Sequence, residues 1–123
     1  MITILLIDDD PFYLGVIRRI LEDSGHRIVE ARNGWEGIEM YRECRPALVI
    51  TDMRMPGMDG AEVIRSIREI DAQARIIAVS GAGAFYDANM FELAKEVGAD
   101  VVIRKLDHTD RVLAEVSRTL QLA

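Results

Sequence analysis

Hydrophobic and polar residues alternate in blocks along this chain. Five short runs are almost wholly apolar and occupy residues 2–7, 27–31, 47–51, 75–79 and 100–104. A short, continuous apolar run is typical of a β-strand that is covered on both faces. After each run, apolar residues recur every three or four positions, which is the spacing of an amphipathic helix. The pattern therefore predicts five strands that alternate with five helices.

Capping residues set the expected bounds of these helices. The helices are expected over residues 11–24, 34–44, 61–70 and 87–97 and from residue 110 onward. Short polar side chains precede four of them and are predicted to accept the first free backbone N–H groups. These predicted caps are Asp10, Asn33, Asp59 and Thr109. On the second helix the pattern places Trp35, Ile38 and Tyr41 on the inward side, and Cys44 is expected to be buried or half-buried.

Alternation of strands and helices with short connections favours a mainly parallel sheet with helices on both faces. The predicted fold class is α/β, a flavodoxin-like (βα)5 doubly wound sheet with strand order 2-1-3-4-5. A length of 123 residues fits one domain, so we expect a single domain over residues 1–123 without an output domain. In such sheets, ligands bind beyond the carboxyl ends of the strands, where the strand order reverses.

Composition narrows the classes of function. The net charge of −6 argues against a broad nucleic-acid surface. No apolar run approaches the roughly 20 residues of a membrane span. The single cysteine, Cys44, precludes an internal disulfide and favours a reducing compartment. We therefore expect a cytoplasmic protein that contacts neither nucleic acid nor membrane directly.

Polar side chains stand at the ends of four predicted strands. Asp8 and Asp9 follow the first strand, Asp52 the third, Ser80 the fourth and Lys105 the fifth. Two carboxylates about 4 Å apart repel by about 4 kcal/mol at an effective dielectric of 20, which left alone would raise their pKa values. Two things can offset this repulsion, the Lys105 ammonium and a divalent cation. Oxygen ligands without histidine or cysteine suit a hard divalent ion, and an open site favours Mg²⁺ over Ca²⁺. Mn²⁺ is the expected substitute.

A metal held by one or two carboxylates commonly also binds phosphate. With the Ser80 hydroxyl and the Lys105 ammonium opposite the metal, the site can hold a phosphoryl group by several oxygens at once. Asp52 is then a carboxylate nucleophile of the kind that forms an aspartyl-phosphate.

These residues resemble a known family, the receiver domains of two-component response regulators. The resemblance covers essentially the whole chain. It rests on the Asp8-Asp9 pair, on Asp52 with the Met-Pro-Gly-Met-Asp-Gly segment at 55–60, on Ser80, and on Gly-Ala-Asp at 98–100 with the later Lys105. Each motif is weak alone, but the set in this order is specific.

The resemblance implies a role for each residue. Asp52 would accept a phosphoryl group from the phospho-histidine of a sensor histidine kinase or a histidine phosphotransfer protein. Lys105 would contact that group, and Ser80 would move toward it and pass on the signal. A downstream protein would bind the face made by the fourth helix, fifth strand and fifth helix. The implied Mg²⁺ ligands are Asp8, Asp9, Asp52 and the backbone carbonyl of Arg54.

The sequence departs from the family pattern near its fifth strand. Val102 occupies the position of a switch aromatic, and Leu106 replaces a proline that commonly follows a cis bond. A cis bond before a non-proline costs about 3–4 kcal/mol, so we expect a trans Lys105–Leu106 bond. The loop after the fourth strand is longer than usual. Its aromatics, Phe85 and Tyr86, are hypothesised to replace the missing switch residue.

Further hypotheses stay open at this point. Arg54, two residues after the acceptor, is either a solvated arginine or a residue that sets the lifetime of the acyl phosphate. The altered positions 102 and 106 keep open a degenerate receiver that binds partners without phosphorylation. The Asp8-x-Asp10 spacing also resembles the nucleophile motif of haloacid-dehalogenase-type phosphohydrolases, although that alternative leaves Asp52 unexplained.

Overall fold

The structure is a computed structural model and describes residues 2–81, 88–105 and 109–121. The strands within these residues are β1 (Thr3–Ile7), β2 (Arg27–Ala31), β3 (Leu48–Asp52), β4 (Ile76–Ser80) and β5 (Val101–Arg104). The helices are α1 (Pro11–Asp23), α2 (Gly34–Cys44), α3 (Gly60–Ile70), α4 (Ala88–Glu96) and α5 (Thr109–Gln121). In this described part of the chain, no helix has the length and apolar character that crossing a bilayer requires.

The five strands form one parallel sheet in the order β2-β1-β3-β4-β5. The predicted fold class is therefore confirmed. Across the centre of the sheet, Leu6 pairs with Ile50 and Ile50 pairs with Ile77. The strand order reverses between β1 and β3, and the crevice expected from the sequence lies at their carboxyl ends.

Alternating side chains divide the core into two layers. Ile4 and Leu6 of β1 lie on the face covered by α1 and α5, together with Leu14 and Val116. Leu5 and Ile7, which point the other way, belong to the layer covered by α2, α3 and α4. Successive side chains of a strand point to opposite faces, so continuous apolar strands supply both layers.

Strands β3 and β4 each end one residue later than predicted. Asp52 and Ser80 are the last residues of their strands rather than the first residues beyond them. The ladder continues because Met53 N–H donates to the Val79 carbonyl at 3.0 Å and Lys105 N–H donates to the Ser80 carbonyl at 2.6 Å. Both polar side chains are thereby held by the sheet itself.

Three predicted helix caps are confirmed. The side chains of Asp10, Asn33 and Asp59 accept backbone N–H groups at the starts of α1, α2 and α3, at 3.0, 2.8 and 3.0 Å. Thr109 was expected to precede α5 but is its first residue. Residue preferences locate a helix end only to within one or two positions, which accounts for this difference.

The prediction that Trp35 packs inward is wrong, because Trp35 is 56 % exposed. Two glycines belong to the buried face of the helix instead. A Cβ atom at Gly37 would lie 2.5 Å from Ile7 Cδ1 of the sheet, and Gly34 lies against Met58 and Val63. A search for large apolar side chains does not count glycines and therefore misplaces the stripe. The buried residues of α2 are Gly34, Gly37, Ile38 and Tyr41.

Cys44 is exposed, so the buried or half-buried position expected for its thiol is wrong. Cys44 is the last residue of α2, and the buried stripe of that helix ends at Tyr41. The next residue, Arg45, has a φ of 43°, so the chain leaves the helix there.

Candidate functional site

Polar groups from four strands meet at the carboxyl edge of the sheet. Asp8, Asp52 and Ser80 are 2 %, 6 % and 2 % exposed, whereas Asp9 is exposed. Carboxylate oxygens of Asp8, Asp9 and Asp52 lie within 4.8 Å of one another. The structure thus brings together the acidic residues that the sequence singled out.

Lys105 supplies a positive charge to this acidic cluster. Its Nζ lies 2.9 Å from Asp8 Oδ2 and 3.6 Å from Asp52 Oδ2. The same Nζ donates a hydrogen bond of 3.2 Å to Asp8 Oδ1. The Asp8–Lys105 pair joins residues that are 97 positions apart in the sequence.

Burial raises the pKa of Asp52 to about 6, and the negative charge of Asp8 acts in the same direction. The Lys105 ammonium and the backbone N–H groups of Arg54 and Met53 act against this shift. Desolvation disfavours a charged carboxylate and is the stronger influence here. Asp52 is therefore more basic than an ordinary aspartate.

Burial also raises the pKa of Asp8, although hydrogen bonds from Asp10 N–H and Lys105 oppose the shift. Desolvation works against the charge of Lys105, but the carboxylates of Asp8 and Asp52 outweigh it and raise the pKa of the lysine. Lys105 is thus held as an ammonium beside the carboxylates.

The three carboxylates fit a hard divalent cation. All the potential metal ligands in the cluster are carboxylate oxygens. Their spacing allows one ion to contact Asp8, Asp9 and Asp52 at the same time. Asp10 instead caps α1, because its Oδ1 accepts the Phe12 N–H at the start of that helix. The cluster therefore matches the acids expected from the sequence and excludes Asp10.

Ser80 presents a hydroxyl at the end of β4. Its Oγ is buried and has no hydrogen-bond partner among the described residues. A buried polar group that lacks a partner costs free energy. A polar ligand atom beside Ser80 would supply one.

The loop between β3 and α3 is packed tightly against Asp52. A Cβ atom at Gly60 would lie 2.3 Å from the Asp52 carbonyl oxygen, so only glycine fits. At Gly57, where φ is +81°, a Cβ atom would lie 2.5 Å from Trp35 Cη2. Met53 and Met55 are buried, so their side chains pack beneath the turn.

Tyr13 was not singled out from the sequence. It is 8 % exposed on α1, and its ring centroid lies 4.6 Å from Lys105 Nζ. The helical period offered a signal, because Tyr13 lies beside Leu14 and one turn before Ile17 on the buried stripe. Only the fold, however, brings Lys105 to that ring.

Further residues were predicted to influence the site or the signal that leaves it. Val102 is buried in the core layer under α2, α3 and α4. Arg54 is exposed, and its influence on acyl phosphate lifetime stays a prediction. Phe85, Tyr86 and Leu106, with the hypothesised aromatic switch and the expected trans bond, lie outside the described residues.

Comparison with known proteins agrees with this geometry. The family model for the response regulator receiver domain matches residues 4–117. The chemotaxis protein CheY of Bacillus subtilis is 42 % identical over 95 % of this chain and 96 % of its own length. Sporulation initiation phosphotransferase F of the same organism is 29 % identical over 97 % of this chain and 94 % of its own. The chain belongs to the response regulator receiver domain family.

Solved structures support the same assignment. A response regulator receiver domain protein from Clostridium thermocellum superimposes with a TM-score of 0.90 at 28 % identity, covering 98 % of this chain and 95 % of that one. Receiver domains are signalling switches rather than classical enzymes, and they interact with histidine kinases or phosphotransfer proteins and with downstream targets. The phosphohydrolase alternative loses its support, because Asp10 caps a helix instead of joining the cluster.

Proposed function

We propose that this domain is a phosphoacceptor switch in which Asp52 takes a phosphoryl group from a phospho-histidine. The donor would be a sensor histidine kinase or a histidine phosphotransfer protein. The observation that carries the proposal is the position of the buried Asp52 carboxylate. It lies beside the carboxylates of Asp8 and Asp9 and 3.6 Å from the Lys105 ammonium.

In the transfer step an Asp52 carboxylate oxygen attacks phosphorus. The new P–O bond forms as the P–N bond to the donor histidine breaks, and the imidazole nitrogen keeps the bonding electron pair and takes up a proton. The raised pKa of Asp52 favours this step, because a more basic carboxylate is a stronger nucleophile once it is ionised. Near neutral pH the carboxylate is mostly ionised.

Asp8, Asp9 and Asp52, with the backbone carbonyl of Arg54, would hold Mg²⁺ or, in its place, Mn²⁺. The bound cation would offset negative charge on the oxygens of the phosphoryl group in transfer. Lys105, which follows the carboxyl end of β5, supplies a second positive charge. Its ammonium can exchange part of its contact with Asp8 for a phosphoryl oxygen.

Ser80 would connect the phosphoryl group to the fold. Its buried hydroxyl can donate a hydrogen bond to a phosphoryl oxygen, which would provide the partner that it lacks among the described residues. Its carbonyl already accepts the Lys105 N–H, so Ser80 and β5 are joined. Movement of Ser80 would therefore reach the α4–β5–α5 face, where we expect the downstream protein to bind. A cytoplasmic location stays a prediction from the single cysteine.

Labelling with acetyl phosphate and Mg²⁺, followed by mass spectrometry, tests this function. We expect the wild-type chain to gain one phosphoryl group and Asp52→Asn to gain none. Asp10→Asn is the matched control, because asparagine also caps helices and Asp10 lies outside the acidic cluster. We expect this control to be labelled like the wild type.

Labelled Asp52→Asn would refute the assignment of the acceptor. An unlabelled wild-type chain would overturn the proposal and favour the degenerate receiver, which binds partners without phosphorylation.

A further inference from the structure

We propose that Tyr13 is a positioning residue that holds the Lys105 ammonium where it can meet a phosphoryl group on Asp52. The proposal deepens the proposed function and rests on it. The Tyr13 ring would then affect the rate of phosphoryl transfer, in addition to packing in the core.

Three groups lie close to the ammonium. Lys105 Nζ lies 2.9 Å from Asp8 Oδ2, 3.6 Å from Asp52 Oδ2 and 4.6 Å from the centroid of the Tyr13 ring. A cation within about 6 Å of a ring centroid is attracted to the ring face, and more strongly when water is excluded. Tyr13 is buried and Lys105 is largely buried, so this attraction is weakly screened.

The ring itself has little freedom to move. Asp10 caps α1 and Pro11 is its first residue, so the helix start that carries Tyr13 is well defined. The ring packs in the core layer that contains Leu14 and Ile17. Moving it away from Lys105 would expose apolar surface and leave a cavity.

Lysine needs such a constraint at this site. Its side chain has four rotatable bonds and a point charge without a preferred direction. Asp8 is the closer carboxylate and by itself would draw the ammonium away from Asp52. The neutral ring attracts the ammonium without forming a salt bridge, so it keeps Nζ near both carboxylates and leaves its donors able to turn to a phosphoryl oxygen.

The chain provides a matched control for the contact. On α4, Lys95 Nζ lies 4.7 Å from the centroid of the Phe91 ring. This cation–ring pair has nearly the same distance, but Lys95 is exposed and its ion-pair partner is Glu92. Removing the Phe91 ring therefore tests the loss of such a contact away from the acidic cluster.

The test measures the rate constant for labelling by acetyl phosphate in saturating Mg²⁺. We expect Tyr13→Leu to lower it about 5-fold to 30-fold, the change that loss of a desolvated cation–π contact implies. Tyr13→Phe keeps the ring and should retain the rate within about 2-fold. Phe91→Leu should leave the rate unchanged.

Two readouts separate positioning from simple packing. Ring current should shift the Lys105 side-chain methylene protons upfield in NMR spectra of the wild type and Tyr13→Phe, and this shift should vanish in Tyr13→Leu. In a Lys105→Met background, Tyr13→Leu should cause no further loss of rate. The NMR comparison also shows whether each variant is folded, and a poorly folded Tyr13→Leu would be replaced by Tyr13→Met.

The outcomes distinguish this proposal from the proposed function. If wild type is not labelled, the proposed function fails, while the upfield shift still reports the contact. If wild type is labelled and Tyr13→Leu is labelled equally fast, only the positioning role fails. If Tyr13→Leu still lowers the labelling rate in the Lys105→Met background, the positioning role of Tyr13 also fails.

Discussion

At the scale of single residues, the behaviour of Asp52 depends on its surroundings more than on its own chemistry. The sequence predicts mutual repulsion among the acids and an offsetting lysine. The structure adds that burial raises the pKa of Asp52 more than the charge of Asp8 does. The folded protein therefore holds a proton on Asp52 more tightly than the unfolded chain does.

This difference predicts a pH-dependent stability in metal-free buffer. The pKa of Asp52 rises from 3.8 to about 6 on folding, so the stabilisation by its proton is complete below 3.8 and is lost as pH rises through about 6. Asp52→Asn removes this titration. Relative to wild type, the variant should gain up to about 3 kcal/mol between pH 4 and pH 8. Urea unfolding with a chelator at both pH values measures the gain, and an equal pH response in both proteins would contradict the prediction.

At the scale of elements, the junction of β3 with α3 shows how a helix is brought up to the acceptor. The pattern predicted a helix from residue 61 after an Asp59 cap. The structure begins α3 at Gly60, whose N–H donates to the Met53 carbonyl at 2.8 Å. Because Gly60 has no side chain, the helix start approaches the Asp52 backbone closely.

We therefore expect Gly60→Ala to destabilise the fold by about 1–3 kcal/mol and to slow labelling of Asp52. The added Cβ atom would lie 2.3 Å from the Asp52 carbonyl oxygen, so the acceptor backbone must shift. Gly15→Ala on α1 is the control, since its added Cβ would have no heavy atom within 4 Å apart from its chain neighbours and the adjacent helix backbone. That change should stabilise the fold by about 0.5–1 kcal/mol. Urea unfolding of both variants measures this difference, and similar effects would refute the packing argument.

At the scale of the whole molecule, the sheet brings the acids that follow β1 close to Asp52 at the end of β3. The chain has a net charge of −6, and three of its carboxylates meet at one edge of the sheet. In the unfolded chain Asp8 and Asp52 are far apart in sequence. A divalent cation should therefore bind the folded state with strong preference.

This preference predicts that Mg²⁺ stabilises the fold. At free Mg²⁺ about 100-fold above its dissociation constant, the free energy of unfolding should rise by about 2.7 kcal/mol. Sodium chloride of equal ionic strength should not reproduce the effect. Asp9→Asn removes an exposed ligand of the cluster and should reduce it strongly. Trp35 fluorescence can follow the titration, because the indole lies against Gly57 of the acceptor loop. Equal stabilisation of Asp9→Asn would count against the proposed ligand set.

Much of the fold could be predicted from local patterns. Continuous apolar strands and helix caps such as Asp10 and Asn33 depend on neighbours within a few residues, so sequence periodicity reports them. Trp35 was misplaced because Gly34 and Gly37 make part of the buried face of α2, in addition to its large buried side chains. Glycine packing depends on what lies opposite it, and periodicity carries no information about that.

By itself the sequence determined the strand order, the edge at which the site lies and the acids that form it, because parallel strands deliver their carboxyl ends to one edge. Only the tertiary structure decided how those groups interact. It buried Asp52 and left Asp9 exposed, paired Lys105 with Asp8 across 97 positions, and placed the Tyr13 ring under the same ammonium. Burial and long-range contacts are set by the packing of distant segments, and no local pattern encodes the distances that result.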